Sequence, residues 1–120
     1  MKRLVFIALL LLGICARADI YVNGVNLNTS DAHYIRLEIN GAVKGVLVYV
    51  DYGQGESIRN RRVTDEKGEK KLYVSVADAL NDFYRNGWAI DEIYTVPGGG
   101  GENSSVYGTA YYIMERRNNP

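Results

Sequence analysis

Ser30, Asp31 and His33 lie within four residues of one another and supply the three side-chain types of a nucleophilic triad. A hydroxyl nucleophile, an imidazole base and an orienting carboxylate work only when a fold aims them at one another, and adjacency in one loop does not do this. The Gly-x-Ser-x-Gly turn that presents a serine nucleophile between strand and helix is absent from the sequence. His33 is the single histidine and Cys15 the single cysteine. A zinc site would therefore have to be built mostly from carboxylates, against the usual preference for nitrogen and sulfur. No catalytic residue, metal ion or cofactor is expected.

Two further patterns bear on chemistry. Gly98–Gly101 invites a phosphate-loop reading, but such a loop needs a lysine and then Ser or Thr at the mouth of a helix. Here Glu102 follows, and then a strand-like segment, so the glycines read as a flexible hairpin tip. Carboxylate pairs could perform acid–base work on sugars. Asp51 and Glu56 flank the Gly53-Gln54-Gly55 turn and Asp91-Glu92 adjoins an apolar stretch, yet nothing in the spacing forces a pair into one cleft. Arg59, Arg61 and Arg62 form a basic cluster interleaved with Glu56, Asp65, Glu66 and Glu69, which reads as a solvated strand edge whose charges discourage pairing with other chains. Asn28-Thr29-Ser30 and Asn103-Ser104-Ser105 match the glycosylation sequon, which matters only in a host that reads it.

Tyrosine is the compositional excess, with ten in the chain. It favours half-buried strands because it joins an apolar ring to a polar tip. Along the last strand-like segment Tyr107 and Tyr111 share a parity and Tyr112 lies opposite, which predicts one wet, aromatic sheet face. Tyr107, Tyr111, Tyr49 and Arg59 are the candidate binding residues.

The elements that must carry them follow from the patterning. Met1-Lys2-Arg3, the eleven-residue apolar run Leu4–Ile14 and Ala16-Arg17-Ala18 read as a signal peptide over 1–18, cleaved before Asp19. The run is well short of the roughly 20 residues a spanning helix needs, so the protein is expected not to span a membrane. A lipidated Cys15 is the alternative, disfavoured by the bulky Ile14 before it. Without Lys2, Arg3 and Arg17, eleven basic residues face fourteen acidic ones, a formal charge of −3. That balance does not suit nucleic acid, and losing Cys15 leaves no thiol for a disulfide.

Residues 19–120 then form one domain. Asp19–Val22 is a short strand ended by Asn23-Gly24, and 25–31 is polar and irregular. His33–Ile39 alternates, with Ile35, Leu37 and Ile39 on one face and Tyr34, Arg36 and Glu38 on the other. A turn at Asn40-Gly41 leads into Val43–Tyr52, with Val46, Val48, Val50 and Tyr52 opposite Leu47, Tyr49 and Asp51. Ser57–Thr64 is strand-like, Asp65–Gly68 a turn and Lys70–Val74 a returning strand. Ser75 opens a helix with Asp78 completing a capping box, and Val76, Ala79, Leu80 and Phe83 give its apolar face. Asn86-Gly87 ends the helix, with Trp88 packing back onto its last turn. Strands 88–96 and 106–116 close a final hairpin.

Two segments taken together carry a resemblance. Val50-Asp51-Tyr52-Gly53-Gln54 and Val63-Thr64-Asp65-Glu66-Lys67-Gly68 lead into Ser75-Val76-Ala77-Asp78-Ala79-Leu80-Asn81 and Gly87-Trp88. This pattern resembles a group of small exported proteins of unknown function from gut-type Gram-negative bacteria. The second half is similar to a bacterial domain-of-unknown-function family with a helix, Gly-Trp and strand core. The resemblance spans residues 46–117 and implies a helix packed on an antiparallel sheet, with no catalytic residue to carry over. The chain departs from that pattern in its long glycine loop at 98–101 and in having no cysteine beyond Cys15.

The expected fold is α+β, an antiparallel sheet of about four to six strands with one α-helix on one face. The expected function is a non-enzymatic module, periplasmic or secreted, that binds a protein or glycan of the cell envelope or extracellular space. A small-ligand carrier or minor hydrolase using the exposed sheet face, with Asp51, Arg59 and Glu92 converging, is the first alternative. An inhibitor of a foreign hydrolase, probing with the 97–105 loop, is the second.

Overall fold

A computed structural model describes residues 18–97 and 108–117. The fold is α+β, with antiparallel strands in two sheets and one α-helix among these residues. Strands β1 (Tyr21–Val22), β2 (Val25–Asn26) and β5 (Val63–Thr64) form a three-stranded sheet in the order β2-β1-β5. Strands β3 (Tyr34–Ala42), β4 (Gly45–Asp51), β6 (Trp88–Val96) and β7 (Thr109–Arg116) form the larger sheet, ordered β4-β3-β7-β6. Single bridges from Val46 to Tyr73 and from Tyr49 to Arg62 tie the outer edge of β4 to the chain around the small sheet.

Helix α1 (Val76–Arg85) begins where Ser75 Oγ accepts from the Asp78 amide at 3.1 Å. Asp78 reaches back in turn, to the amide of Val74 rather than that of Ser75. Ala79 and Phe83 are buried in the core as the spacing predicts, while Val76 is exposed. Gly87 ends the helix at φ +95°, a conformation glycine adopts without penalty. Trp88 follows, fully buried with Phe83, Leu37, Val48, Val50, Ile35 and Met114.

The hairpin of β3 and β4 departs from the expected turn. Asn40-Gly41 remains in the strand, opposite Leu47 and Val46, and the chain reverses at Val43-Lys44. The core decides this register. It places Ile39 opposite Val48 and Leu37 opposite Val50, whereas a two-residue turn at Asn40-Gly41 would set Lys44 against Leu37 on the buried face. Cross-strand apolar packing outweighs the local preference of Asn-Gly.

Three other segments are corrected. Residues 25–31 are not irregular: β2 pairs with β1, and a 3₁₀ turn at Leu27–Thr29 buries Leu27 completely. In place of a strand over 57–64 there is a 3₁₀ turn, Ile58–Arg61, followed only by the two residues of β5. Lys70–Val74 makes isolated bridges to Thr64 and Val46 instead of a continuous strand.

Gly45 is the residue that the turn cannot exchange. Its φ is +140°, and an added Cβ would sit 2.2 Å from the Tyr73 carbonyl oxygen, which accepts from the Val46 amide at 2.8 Å. Gly45→Ala is expected to cost at least about 2 kcal/mol, read as the shift of a urea midpoint. Gly41→Ala in the same hairpin meets nothing within 4 Å and should stay within about 0.5 kcal/mol.

Beneath the helix lies a polar centre that the periodicity does not announce. Asp82, on α1, is buried and accepts from Tyr73 Oη at 2.7 Å. Lys71 Nζ lies 3.3 Å and Arg85 3.7 Å from the same carboxylate. Burial first, then the Asp82 hydrogen bond, raise the Tyr73 phenol far above its ordinary value of 10.0. The unfolded state therefore releases this proton near pH 10 while the folded state keeps it. Stability from Tyr73 is complete below pH 10 and falls above it at about 1.4 kcal/mol per pH unit. Denaturant titrations between pH 9 and 11 should show a steeper loss for the native protein than for Tyr73→Phe.

Candidate functional site

The face of the large sheet turned away from α1 is built by strand alternation. Arg36 and Glu38 on β3, Tyr49 and Asp51 on β4, Tyr111 and Ile113 on β7, and Glu92 and Tyr94 on β6 all point to that side. Register aligns them into two rows across the strands. One row runs Arg62, Tyr49, Glu38, Tyr111, Tyr94, and the next runs Asp51, Arg36, Ile113, Glu92.

Side-chain contacts knit the rows together. The Tyr94 and Tyr111 rings stack with centroids 5.2 Å apart and planes 24° from parallel. The Arg36 guanidinium lies 4.7 Å from the Tyr111 ring centroid and donates to Tyr94 Oη at 3.4 Å. Its other nitrogen lies 3.8 Å from Asp51, which Arg61 approaches at the same distance. Hydrogen bonding to Tyr94, with the nearby Asp51 charge adding, raises the Arg36 pKa above its ordinary value. Arg62 sits 5.9 Å from the Tyr49 ring, at the end of the first row. Its Nε is buried and makes no hydrogen bond among the described residues.

Of the four candidate binding residues, Tyr49 and Tyr111 lie on this face with Glu38 between them. Arg59 does not join them. It is exposed on the 3₁₀ turn, and Arg61 and Arg62 are the basic residues that reach the rows. Tyr107 lies outside the described residues, as do Gly98–Gly101, Cys15 and the second sequon. Tyr112 faces the core, opposite in parity to Tyr111 as expected. Tyr94 and Arg36 were not singled out by the sequence, although the alternation of β3 puts Arg36 on the correct side. Only the cross-strand neighbours of β7 show that they belong with Tyr111.

Asp51, Arg59 and Glu92 do not converge. Asp51 and Glu92 stand in one row but on β4 and β6, the two outer strands of the sheet, about 14 Å apart at the ordinary strand spacing. The slot among Arg36, Glu38, Tyr49, Asp51 and Arg61 measures only about 10 Å³. An open dish of about 280 Å³ adjoins it, bordered by Tyr34, Tyr52 and Ile113. A larger depression, about 700 Å³, lies elsewhere, between Tyr21 and the Lys70–Leu72 segment. The triad types also part company: Ser30 Oγ donates to the Leu27 carbonyl at 2.7 Å, while His33 Nε2 lies 3.0 Å from Glu115. Among the described residues no three His, Cys, Asp or Glu gather as metal ligands, and no helix is long and apolar enough to cross a membrane.

Chemically, the double row offers stacked rings, hydroxyls and ion-paired guanidinium groups on a nearly flat surface. Tyrosine and arginine are the residue types enriched where proteins meet. Comparison with protein-family models, curated proteins and solved structures finds no match for this chain.

Proposed function

We propose that this protein is a non-enzymatic binding module that engages a partner protein through the tyrosine–arginine face of its large sheet. The observation that carries the reading is the Tyr94–Tyr111 stack with Arg36 set against it. Rings held by one another and by a guanidinium lose little further freedom when a partner covers them, which lowers the cost of association. The rings stand against each other rather than lying open, which favours a protein surface over a sugar ring as the occupant.

The same reading places the protein outside the cytoplasm, as a periplasmic or secreted domain cut between Ala18 and Asp19, with a lipidated Cys15 as the alternative. Two contacts support Asp19 as the domain's first residue: its carboxylate accepts from Asn26 and Asn28 side chains at 3.0 and 2.9 Å. Ile20, the next residue, is already buried. The resemblance to small exported proteins supports the same placement. Intact-mass measurement of the purified protein separates a chain starting at Asp19 from a lipidated one.

The test of the face is photo-crosslinking from position 113 in the envelope fraction of the native host, followed by affinity measurement with the captured partner. Arg36→Ala and Tyr111→Ser are each expected to weaken binding at least tenfold, about 1.4 kcal/mol, while the far-ultraviolet circular dichroism is unchanged. Full affinity in a folded Arg36→Ala/Tyr111→Ser double variant overturns the proposal.

A further inference from the structure

A second surface lies along the open edge of β6, where the helix side of the large sheet meets the end of the second row. Helix α1 covers the core face of β6 and β7 only in part. Along its flank Ala77, Leu80 and Tyr84, at helical spacing, face Trp88, Ile90 and Met114 across a mostly apolar groove of about 360 Å³. That volume falls within the roughly 300–1,000 Å³ of ordinary ligand sites. The groove opens onto β6, which among the described residues pairs only with β7. Its outer edge thus carries backbone N–H and C=O groups with no strand beside them.

Two more observations give the groove a chemical preference. Trp88 lines it, and the buried Trp88 Nε1 has no hydrogen-bond acceptor among the described residues. Beside the groove, a bulge between Ile90 and Glu92 leaves Asp91 and Glu92 exposed on the edge strand, Ile90 facing the groove and Glu92 turned to the other face, and neither acid makes an ion pair among the described residues. Ile93, just beyond, is 54% exposed. A second copy pairing antiparallel along β6 in the register centred on the bulge would bring these acids against their own counterparts, which is unfavourable. A strand with a basic residue at that level meets no such cost.

We propose that the groove receives an extended segment of a partner protein, added as a strand to β6, with a bulky apolar side chain between Leu80, Tyr84 and Ile90 and, alternating to the opposite face of the added strand, a Lys or Arg beside Asp91 and Glu92. A helix flank and a free strand edge are the two walls that strand addition uses: backbone hydrogen bonds supply affinity and the apolar recess supplies selectivity.

The probe is a phage-displayed library of random dodecapeptides, panned on protein purified from cells expressing the whole chain. Enriched sequences are expected to carry a large apolar residue within two positions of a Lys or Arg. Because Trp88 is the single tryptophan and lines the groove, its one indole N–H resonance is assigned without ambiguity and senses an occupant there. A synthetic enriched peptide should move that resonance and slow amide exchange along β6 at least tenfold. Asp91→Lys, which alters an exposed residue outside the tyrosine–arginine rows, should weaken that peptide at least tenfold and turn the selection towards acidic sequences. Absence of enrichment overturns the proposal, as does a peptide that leaves the indole unmoved or perturbs only Tyr94 and Tyr111. A protein that sediments as a dimer with β6 protected and no peptide present assigns the groove to a second copy and likewise overturns it.

Discussion

Trp88→Ala is expected to lower stability by about 3–5 kcal/mol, the usual cost of emptying a large aromatic site in a core that cannot collapse around it. The indole is wholly buried and lies under the Arg116 guanidinium, 4.4 Å from its centroid. Arg116 in turn donates to the Ser30 and Ala32 carbonyls, and the Arg117 amide donates to the Gly87 carbonyl beside the tryptophan. Removing the ring therefore loosens the end of β7, the turn after α1 and the loop before β3 together. Trp88→Phe separates volume from polarity. It loses part of the packing but also removes an indole N–H whose burial without an acceptor costs about 1–3 kcal/mol, so its net effect should be under about 2 kcal/mol. Urea unfolding followed by circular dichroism measures both, since the alanine variant has no tryptophan to report. An alanine variant within 1 kcal/mol of the native protein would show that the Trp88 site is not the keystone of the fold.

Asp82→Ala should cost about 3 kcal/mol. The carboxylate accepts from Tyr73 Oη, Lys71 Nζ and Asn86 Nδ2, and the Arg85 guanidinium lies 3.7 Å from it. Lys71 and Arg85 have 36% and 58% of their side chains exposed, so water takes them over and their share is small. The Tyr73 hydroxyl is buried and would be stranded, which is the larger part of the loss. Asp82→Asn keeps an acceptor and should lose about half as much. A double-mutant cycle with Tyr73→Phe locates the cost: the pair of changes together should be at least about 1 kcal/mol milder than their sum, because neither partner is left alone. Strict additivity would mean that the hydrogen bond is energetically idle and that Asp82 acts through the helix alone.

Much of this architecture is legible in residue order. The alternation at 33–39 and 46–52 assigns each side chain to its face, because a pleated strand has no other way to bury Ile35, Leu37, Val48 and Val50. The helix announces itself through Ser75, Asp78 and the terminal glycine. What is not legible is which strands become neighbours. Tyr111 lies opposite Glu38 and Tyr94 because β7 inserts between β3 and β6, and no local pattern states that. Likewise Asn40-Gly41 outscores Val43-Lys44 as a turn until the facing strand is considered. Asp82 reads as a solvent-facing carboxylate on a helix, since its partner Tyr73 comes from a segment with no regular structure. Arg59 and Arg61 are equivalent by type; a 3₁₀ turn, rather than a strand, decides which of them reaches Asp51.

The placement of β7 also governs when the protein can fold. This strand holds the middle of the large sheet, with β3 on one side and β6 on the other. Strands β3 and β4 can meet early as a hairpin, but an isolated hairpin is barely stable in water. Residue 116, at the far end of β7, has to emerge before the sheet can close. Sequence-distant pairing of this kind is slow. During synthesis the large sheet therefore stays open until β7 has been made, with β3, β4 and β6 waiting on a strand that comes after all three.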